Sequence, residues 1–313
     1  MRNRLRPPDT PRICRICVGY SGGLDSTVLL HLLAAERANS GLLVSAAHVH
    51  HGLNPQADAW ARHCRVVCRQ WQVPFHLRRV SVNRAPRTSL EEEARKARHA
   101  AFSALPADVM VLAHHANDQA ETLLLQLLRG AGPKGLSAMA ALKPLVGAAL
   151  GPVAVWRPLL GFTRSQLEAY ARRHQLAWIE DDSNRDVRFK RNFVRHELMP
   201  VLARGFPAPV AALSRAARHQ ADAAALADTL ADMDLAGACA GAGLDVVFLR
   251  SLEDARLKNV LRRWIELQPL RSPSEARLLA LVRALRQSTN GTHLEWHHEG
   301  RVVRRTRSLL HCD

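Results

Sequence analysis

The sequence predicts an α/β protein with a doubly wound parallel sheet, followed by a second, smaller and mainly helical domain. Short apolar runs, typical of buried strands, alternate with helical patterns between residues 13 and 175. A glycine-rich turn directly follows the first of these runs. After residue 210 the composition changes to an alanine-rich helical pattern. We therefore predict two domains, 1–210 and 211–313.

The first predicted strand, residues 13–18, leads into a glycine-rich loop, and an apolar helix follows it from Thr27. The loop consists of Ser21, Gly22, Gly23, Leu24, Asp25 and Ser26. Two glycines permit a tight turn, and the start of a helix offers unpaired N–H groups and a positive dipole end. The sequence therefore predicts a phosphate site, without the Walker sequence or the dinucleotide fingerprint. A turn that merely caps the helix is the alternative.

The second predicted strand, residues 42–50, ends in His48 and His50, and His51 follows. Ligands bind at the carboxyl ends of parallel strands in open α/β sheets, so we interpret these histidines as nucleotide or substrate contacts. Because His48 and His50 share one face of the strand, a metal cluster is the alternative.

The elements that follow continue the alternation of helix and strand, which predicts a parallel sheet with right-handed crossovers. The predicted helices are 56–71, 89–104 and 165–175, and the predicted strands are 75–82, 108–113 and 153–157. In the second of these helices Ser89 is suited to cap the start, and three glutamates match the helix dipole.

Paired histidines, His114 and His115, end the fourth predicted strand, and a helix with Asp118 and Glu121 follows. Residues three apart share a helix face, so the two carboxylates are expected to lie together at the edge of the sheet that carries the glycine-rich loop. Such a pair could hold a hard cation or bind an amine. Acids that only cap the helix are the alternative.

A polar segment, residues 178–195, mixes turn-forming residues with arginine and lysine. The density of cations favours contact with phosphate, and an exposed loop is the alternative. The net charge of +16 and pI of about 10.9 likewise indicate a polyanionic partner, unless the source proteome is generally rich in arginine. No apolar run could span a membrane and no signal peptide is visible, so we expect a cytoplasmic protein.

The cysteines are interpreted as reduced and structural. Cys14 and Cys17 lie within or beside a predicted strand, where positions three apart face opposite sides, and no second pair of this spacing exists. Zinc or an iron–sulfur cluster is the alternative.

The second domain is predicted to begin with a helix at 211–231. A strand at 245–249, helices at 253–267 and 274–287, and a hairpin of 292–297 with 301–310 follow. This domain contains no cluster of residues suited to catalysis, although its last strand carries four arginines.

Several longer stretches occur in an order that identifies a family. They are SGGLDS, HVHHGL, EEEARKARH, AHHANDQAETLLLQLLRGAGPKGLSAM, RPLLGFTRSQLEAYA, WIEDDSN and RNFVRHELMP. Together they resemble the tRNA(Ile)-lysidine synthases of the PP-loop (N-type) ATP pyrophosphatase group, whose fold is Rossmann-like and of the adenine nucleotide α-hydrolase type. The chain departs from many relatives at Asn117, which stands where they have an acid. It also ends after the hairpin, so the resemblance implies a short form.

The resemblance implies a reaction on the wobble cytidine of a tRNA(Ile) with the CAU anticodon. The cytosine oxygen attacks the α-phosphate of ATP, pyrophosphate leaves, and the side-chain amine of free L-lysine then displaces AMP. The product, lysidine, changes the tRNA from methionine to isoleucine identity. ATP, Mg²⁺, free L-lysine and the tRNA are the implied cofactors and partners; no membrane is involved, and a homodimer is left open.

The resemblance also assigns roles to residues. Catalysis is assigned to Asp25, Asp118 and Glu121, of which Asp25 and Asp118 would hold Mg²⁺. ATP binding is assigned to Ser21, Gly22, Gly23, Leu24, Asp25, Ser26 and His48. Binding of tRNA or lysine is assigned to His51, Arg95 (as a phosphate contact), His115, Asp181, Ser183, Asn184, Arg191, Asn192 and Arg195.

Two rival functions remain open on the sequence. A tRNA cytidine thiolase of the same group would use cysteine pairs, and Cys14 with Cys17 is the only candidate. A non-catalytic RNA-binding protein with a decayed nucleotide fold is the other rival, which the intact glycine-rich loop and acid pair disfavour.

Overall fold

The structure is a computed structural model that describes residues 15–52, 54–81, 90–145, 154–181, 186–241, 243–268, 270, 272–288 and 294–313. Cys14, Ser183, Asn184 and the side chain of Arg95 lie outside this description. The chain divides into two compact units, Met1–His219 and Gln220–Asp313. The boundary that we place after residue 210 stays a prediction.

The first unit is built on a six-stranded sheet. Its strands are Arg15–Gly19 (β1), Leu43–His50 (β2), Phe75–Arg79 (β3), Val109–Val111 (β4), Leu142–Pro144 (β5) and Ala154–Trp156 (β6). Their order is β3-β2-β1-β4-β6-β5, and all neighbours are parallel except β5 and β6. The order reverses between β1 and β4, where ligands bind in folds of this type. The predicted doubly wound sheet is confirmed.

Helices and one π turn connect these strands and lead to the second unit. The helices are Leu24–Ser40 (α1), Ala57–Gln70 (α2), Leu90–Ser103 (α3), Ala116–Leu127 (α4), Pro133–Leu136 (α5), Arg164–Arg173 (α6), Lys190–Phe193 (α7), Met199–Gly205 (α8) and Pro209–Ala238 (α9), and the π turn is Val194–Leu198. Within the described ranges, no helix has the length and hydropathy that a bilayer crossing requires.

Side chains on both faces of the sheet are buried, because successive residues of a strand point to opposite sides. Ile16 and Val18 of β1 pack into one core together with Leu29 of α1. Cys17, between them, packs into a second core that contains Phe102 of α3. Each fully buried leucine or isoleucine contributes about 1.5–3 kcal/mol, so both layers of helices hold the sheet in place.

The second unit combines three shorter helices with a five-stranded sheet around its own core. The helices are Val246–Ser251 (α10), Asp254–Leu267 (α11) and Glu275–Gln287 (α12). The strands are Cys239–Ala240 (β7), Gly243–Asp245 (β8), Glu295–His298 (β9), Arg301–Thr306 (β10) and Leu309–Cys312 (β11), in the order β7-β8-β11-β10-β9.

The strand predicted at residues 245–249 is wrong for most of its length. Asp245 ends β8, and its carboxylate accepts N–H bonds from Val247 (2.6 Å) and Phe248 (3.2 Å). An aspartate that caps a helix in this way satisfies amides that would otherwise be unpaired, so α10 begins at Val246. The β-branched valines of this stretch favour a strand by intrinsic propensity. The hydrogen bonds of the helix cap outweigh that preference, so the prediction was wrong.

The single strand predicted at 301–310 is also wrong, because it is two strands. β10 ends at Thr306, Arg307 has φ of 54°, and β11 returns antiparallel from Leu309. The turn predicted at Glu299 and Gly300 is confirmed, with φ of 49° and 81°. Positive φ at both residues is typical of a tight hairpin turn.

Candidate active site

The glycine-rich loop lies between β1 and α1, and Gly22 allows another segment to pack directly against it. Gly22 has φ of 86°, and its carbonyl accepts the N–H of Ile179 at 2.9 Å. A Cβ atom at Gly22 would lie 2.8 Å from Cδ1 of Ile179 and 3.0 Å from Sγ of Cys64. Only glycine satisfies both the backbone conformation and this approach. The loop is therefore held in its shape by the segment just before Asp181.

Hydroxyl groups complete the loop. The Oγ atoms of Ser21 and Ser26 lie 3.0 Å apart, and Ser26 Oγ donates to the carbonyl of Gly23 at 3.0 Å. Leu24, Asp25 and Ser26 form the first turn of α1, where backbone N–H groups have no acceptor within the helix. The arrangement of amides and hydroxyls suits a phosphate group at the positive end of the helix dipole.

We expect Gly22→Ala to lower both stability and ATP affinity, because it combines a strained φ with the clash against Ile179. Gly41→Ala is a matched control: Gly41 has φ of 68° at the end of α1, but no atom lies within 4 Å of its Cβ position. The strain alone costs about 1–2 kcal/mol. Urea denaturation and calorimetric ATP titration of both variants check this. An equal loss of ATP affinity in the two variants would contradict a specific role for Gly22.

His48 contacts the residue that directly precedes the loop. Its Nδ1 atom lies 2.9 Å from the carbonyl oxygen of Tyr20, which can only accept, so Nδ1 carries the proton. Burial lowers the pKa of His48, and the bond to Tyr20 opposes this without reversing it. A neutral His48 therefore anchors the residue before the loop, and Nε2 is its unprotonated nitrogen, which can accept a hydrogen bond.

The other histidines near β2 do not form a metal cluster with His48. Nε2 of His50 lies 3.2 Å from Asp58, on α2. Burial lowers the pKa of His51, and its buried Nδ1 has no hydrogen-bond partner in the described part of the chain. Among the described residues no group of three or more histidine, cysteine or acidic side chains is arranged to hold a metal ion.

His115 brings the loop and α4 together. Its Nε2 atom lies 3.6 Å from Oδ2 of Asp25 and 3.5 Å from Oδ2 of Asp118. The backbone N–H of His115 donates to the same Asp118 oxygen at 2.9 Å, which closes the first turn of α4. The carboxyl ends of β1 and β4, which are adjacent in the sheet, thus bring Asp25 and Asp118 to the same nitrogen of one imidazole.

Asp118 and Glu121 share one face of α4, as the spacing predicts, and two arginines contact both. Arg191 donates to Asp118 and to Glu121 at 2.9 Å each. Arg195 donates to both Glu121 oxygens at 2.7 and 2.9 Å and to Asp118 at 3.3 Å. Arg195 lies in the π turn, a distortion that is frequent at functional sites. We call these four residues the acid–arginine cluster.

Both acids of this cluster are buried: the side chain of Glu121 is 2% exposed and that of Asp118 is 12% exposed. Burial raises the pKa of Asp118, but the charges of His115 and Arg191 and the N–H of His115 outweigh it, so the pKa lies below its usual range. Asp118 is therefore ionised at neutral pH.

Arg164 is a site residue that sequence reasoning missed. Its Nη1 atom donates to both oxygens of Asp25, at 2.9 and 3.1 Å, and its backbone N–H donates to Oδ1 of Asn117 at 2.9 Å. Arg164 begins α6, far along the chain from Asp25, and an arginine at a helix start carries no signal of such a contact. Asn117, the departure from many relatives, thus holds the start of α6 through its side-chain oxygen.

The structure also describes Asn192 and Asp181, two further residues that were predicted for the site. Asn192 donates to the carbonyl of Asp186 at 3.0 Å, within its own segment. Asp181 lies two residues after Ile179, which contacts the loop. The predictions for Arg95, Ser183 and Asn184 fall on side chains or residues outside the described part.

The described cysteines of the first unit are buried. Cys17, Cys64 and Cys68 are free thiols, each at most 1% exposed. Burial raises the pKa of Cys17 to about 11 and of Cys64 and Cys68 to about 12. Thiols with such values are protonated at neutral pH and are poor nucleophiles and metal ligands.

His114 makes the free energy of unfolding depend on pH. Burial lowers its pKa to about 4, with Asp118 opposing and nearby arginines adding to the shift. The unfolded chain therefore binds a proton at His114 below pH 6.5 that the folded chain does not bind until about pH 4. Stability from the neutral imidazole is complete above pH 6.5 and is lost as the pH falls towards 4.

We expect His114→Gln to flatten the fall in unfolding free energy between pH 6.5 and 4, by at most about 1.4 kcal/mol per pH unit. Replacement of the exposed His219 by glutamine is the control and should leave the slope as it is. Urea denaturation at half-unit pH steps measures both. An unchanged slope in His114→Gln would show that this imidazole takes up its proton equally in both states.

Two family models match the chain. The PP-loop domain model matches residues 4–202. The chain belongs to the PP-loop family. A second model, described as the TilS substrate binding domain, matches residues 244–311, within the second unit. The sequence-based prediction of a PP-loop nucleotide domain is confirmed.

Curated relatives carry the name tRNA(Ile)-lysidine synthase. The protein from Alkalilimnicola ehrlichii is 48% identical over 84% of this chain and 58% of its own length. That from Coxiella burnetii is 44% identical over 84% of this chain and 58% of its length, and that from Nitrosomonas europaea is 38% identical over 99% and 66%. The family resemblance is thereby confirmed. The chain spans about three fifths of the length of these relatives.

A solved structure supports the fold. The U34-tRNA thiolase NcsA from Methanococcus maripaludis, determined with its [4Fe-4S] cluster, superposes with a TM-score of 0.55 and 14% identity, over 70% of this chain and 76% of that one. At this identity the likeness concerns the fold alone, which agrees with the predicted adenine nucleotide α-hydrolase type.

Proposed function

We propose that this chain acts as a tRNA(Ile)-lysidine synthase. It adenylates the wobble cytidine of a tRNA(Ile) with the CAU anticodon, releases pyrophosphate, and then joins free L-lysine to the ring as AMP leaves. The relatives named above support this assignment. The observation that carries it is the junction at His115, where the nucleotide loop and an acid pair meet at one edge of the sheet.

The two halves of this junction fit the two halves of the reaction. Backbone amides and the hydroxyls of Ser21 and Ser26 suit the phosphates of ATP. The acid–arginine cluster lies beside them through Asp118, and buried carboxylates suit the ammonium group of lysine. Glu121 is the expected base or ammonium ligand, because an amine with a pKa near 10.4 must lose a proton before it attacks.

Arginines engage these acids in the structure, so substrate binding requires an exchange of partners. Arg191 and Arg195, which the resemblance assigns to binding of tRNA or lysine, donate to Asp118 and Glu121. An incoming ammonium group would replace part of this pairing and free guanidinium groups for a phosphate. Arginine suits both partners, since its planar fork matches carboxylate and phosphate alike.

Asp25 and Asp118 are the residues that would hold Mg²⁺. Both carboxylates approach the same nitrogen of His115, and the lowered pKa keeps Asp118 ionised, so the donor set fits a hard cation. The ion would neutralise charge on the leaving pyrophosphate. Arg164 also places a positive charge at Asp25.

The partner and location follow from the proposed substrate. The net charge of +16 favours binding of a polyanion, and an anticodon loop offers the unstacked bases that proteins read in RNA. A reaction that uses tRNA, ATP and free lysine belongs in the cytoplasm.

Mass spectrometry of an unmodified CAU tRNA(Ile) transcript, incubated with the full chain, ATP, Mg²⁺ and lysine, tests the proposal. We expect a cytidine whose mass increases by the lysine residue, with AMP formed in equal amount. A tRNA(Met) transcript with the same anticodon is the specificity control. Release of AMP without a change in the mass of the cytidine would refute the assignment of lysine as the amine that is joined to the ring.

The thiolase alternative predicts sulfur in place of lysine. It depends on the pair Cys14 and Cys17, of which Cys17 is buried with a raised pKa and Cys14 lies outside the described part. Iron content and absorption spectra of anaerobically purified protein separate the two functions, since a lysidine synthase needs no cluster.

A further inference from the structure

Arg157 is a buried cation without an acidic partner in the described part of the chain. It directly follows β6 and is 9% exposed. Its backbone N–H donates to the carbonyl of Ala141 at 2.7 Å, and Nη1 donates to the carbonyl of Ala140 at 2.9 Å. Its Nε atom is buried and has no hydrogen-bond partner among the described residues. Burial lowers the pKa of Arg157, as expected when no carboxylate compensates the charge.

His114 provides a second unmet polar atom at the same edge of the sheet. β4 and β6 are parallel neighbours, and the N–H of Leu112 donates to the carbonyl of Trp156 at 2.9 Å just past their ends. The chain therefore passes the end of β6 at Leu112, two residues before His114, and Arg157 is the residue that directly follows β6. Its Nδ1 atom is buried without a partner in the described ranges. The charges of Arg157, Arg191 and Arg98 all act on this imidazole.

A buried guanidinium with an unused N–H is costly unless an anion meets it, because burial removes water that would otherwise bind it. Four residues beyond His114 lies Asp118, the first acid of the acid–arginine cluster. The edge of the sheet thus presents a cationic region next to an anionic one. A ligand with an ammonium group and a carboxylate matches this pattern, and an amino acid has both.

We propose that Arg157 and His114 form the subsite for the carboxylate of the amino acid substrate. The proposal rests on the proposed function and adds to it how the site selects a free amino acid over a simple amine. Arg157 donates through Nε to one carboxylate oxygen, and neutral His114 donates through Nδ1. A phosphate group of ATP or tRNA has related acceptor chemistry, so the test must separate the two kinds of anion.

The experiment compares lysine with lysinamide, which keeps both amines but has no carboxylate charge. Affinities are measured by calorimetry with the full chain, and KM values are measured at saturating ATP and tRNA. A hydrogen bond to a charged group stabilises the bound state. The affinity of the wild type for lysine should therefore exceed its affinity for lysinamide by roughly 10- to 100-fold. In Arg157→Met this preference should disappear, because affinity for lysine falls while affinity for lysinamide is unchanged. Arg157→Lys, which keeps the charge, should restore part of the preference.

Several results would overturn the subsite. Equal losses for lysine and lysinamide in Arg157→Met would show that Arg157 only packs the 140–141 segment. A raised KM for ATP or tRNA with an unchanged lysine preference would assign the anion to a phosphate. A wild type without any preference for lysine over lysinamide would also refute it. If calorimetry shows the expected pattern but no lysidine forms, the proposed function fails and the subsite stands.

Discussion

Replacement of Asp118 by asparagine should reduce lysidine formation by at least about 100-fold, equivalent to about 3 kcal/mol of lost transition-state stabilisation. Asparagine keeps the oxygen that accepts the N–H of His115, so α4 should still begin at the same place. The variant loses the charge that faces His115, Arg191 and Arg195. Single-turnover measurements should follow adenylation and lysine attack separately, since Asp118 lies between the nucleotide loop and Glu121.

Asn117→Asp is the matched control on the neighbouring residue. The oxygen of Asn117 accepts the backbone N–H of Arg164, and a carboxylate can accept it equally well. The added charge lies at the start of a helix, where the dipole favours it, although it repels Asp118. We therefore expect nearly unchanged rates. If Asp118→Asn keeps both single-turnover rates, Asp118 has no catalytic role and the histidines become the candidates.

The alternation of strands and helices was predictable because local patterns carry it. β1 and β2 are short apolar runs, and the amphipathic helix α2, which follows β2, lies close to its predicted range. β5 was not predictable, since its three residues include an exposed lysine and a proline and gain their strand structure only by pairing with β6. Where the structure contradicted the sequence, at residues 245–249 and 307–308, a cap and a positive φ decided the outcome.

The site was predictable only in part, for a similar reason. The rule that ligands bind at the carboxyl ends of parallel strands brings Asp25 and His115 to one edge, as the structure shows. Ion pairs between distant segments have no such rule. Arg191 pairs with Glu121 across 70 positions, and Arg164 with Asp25 across 139. The sequence shows that cations are abundant in these segments but not which acid each one meets.

The second large effect concerns stability. Glu121→Ala should lower the free energy of unfolding by about 3–5 kcal/mol, because it removes the most deeply buried acid of the cluster and leaves Arg191 and Arg195 to share Asp118. The matched control is Glu168→Ala on α6, where the acid is 39% exposed and pairs with Arg164 at 3.0 Å. An exposed pair of this kind contributes about 0–1 kcal/mol. Urea denaturation of both variants provides the comparison.

A double variant then separates folding from function. Glu121→Met with Arg195→Met replaces a buried ion pair by apolar side chains, which is often neutral or stabilising. We expect it to recover much of the stability that Glu121→Ala loses, while calorimetry shows no lysine binding. That combination would mean that α4 and the π turn could pack without charges, and that the acid–arginine cluster is retained for its ligand. A double variant as unstable as Glu121→Ala would instead make the cluster a folding element, and the catalytic role of Glu121 would then lose its structural support.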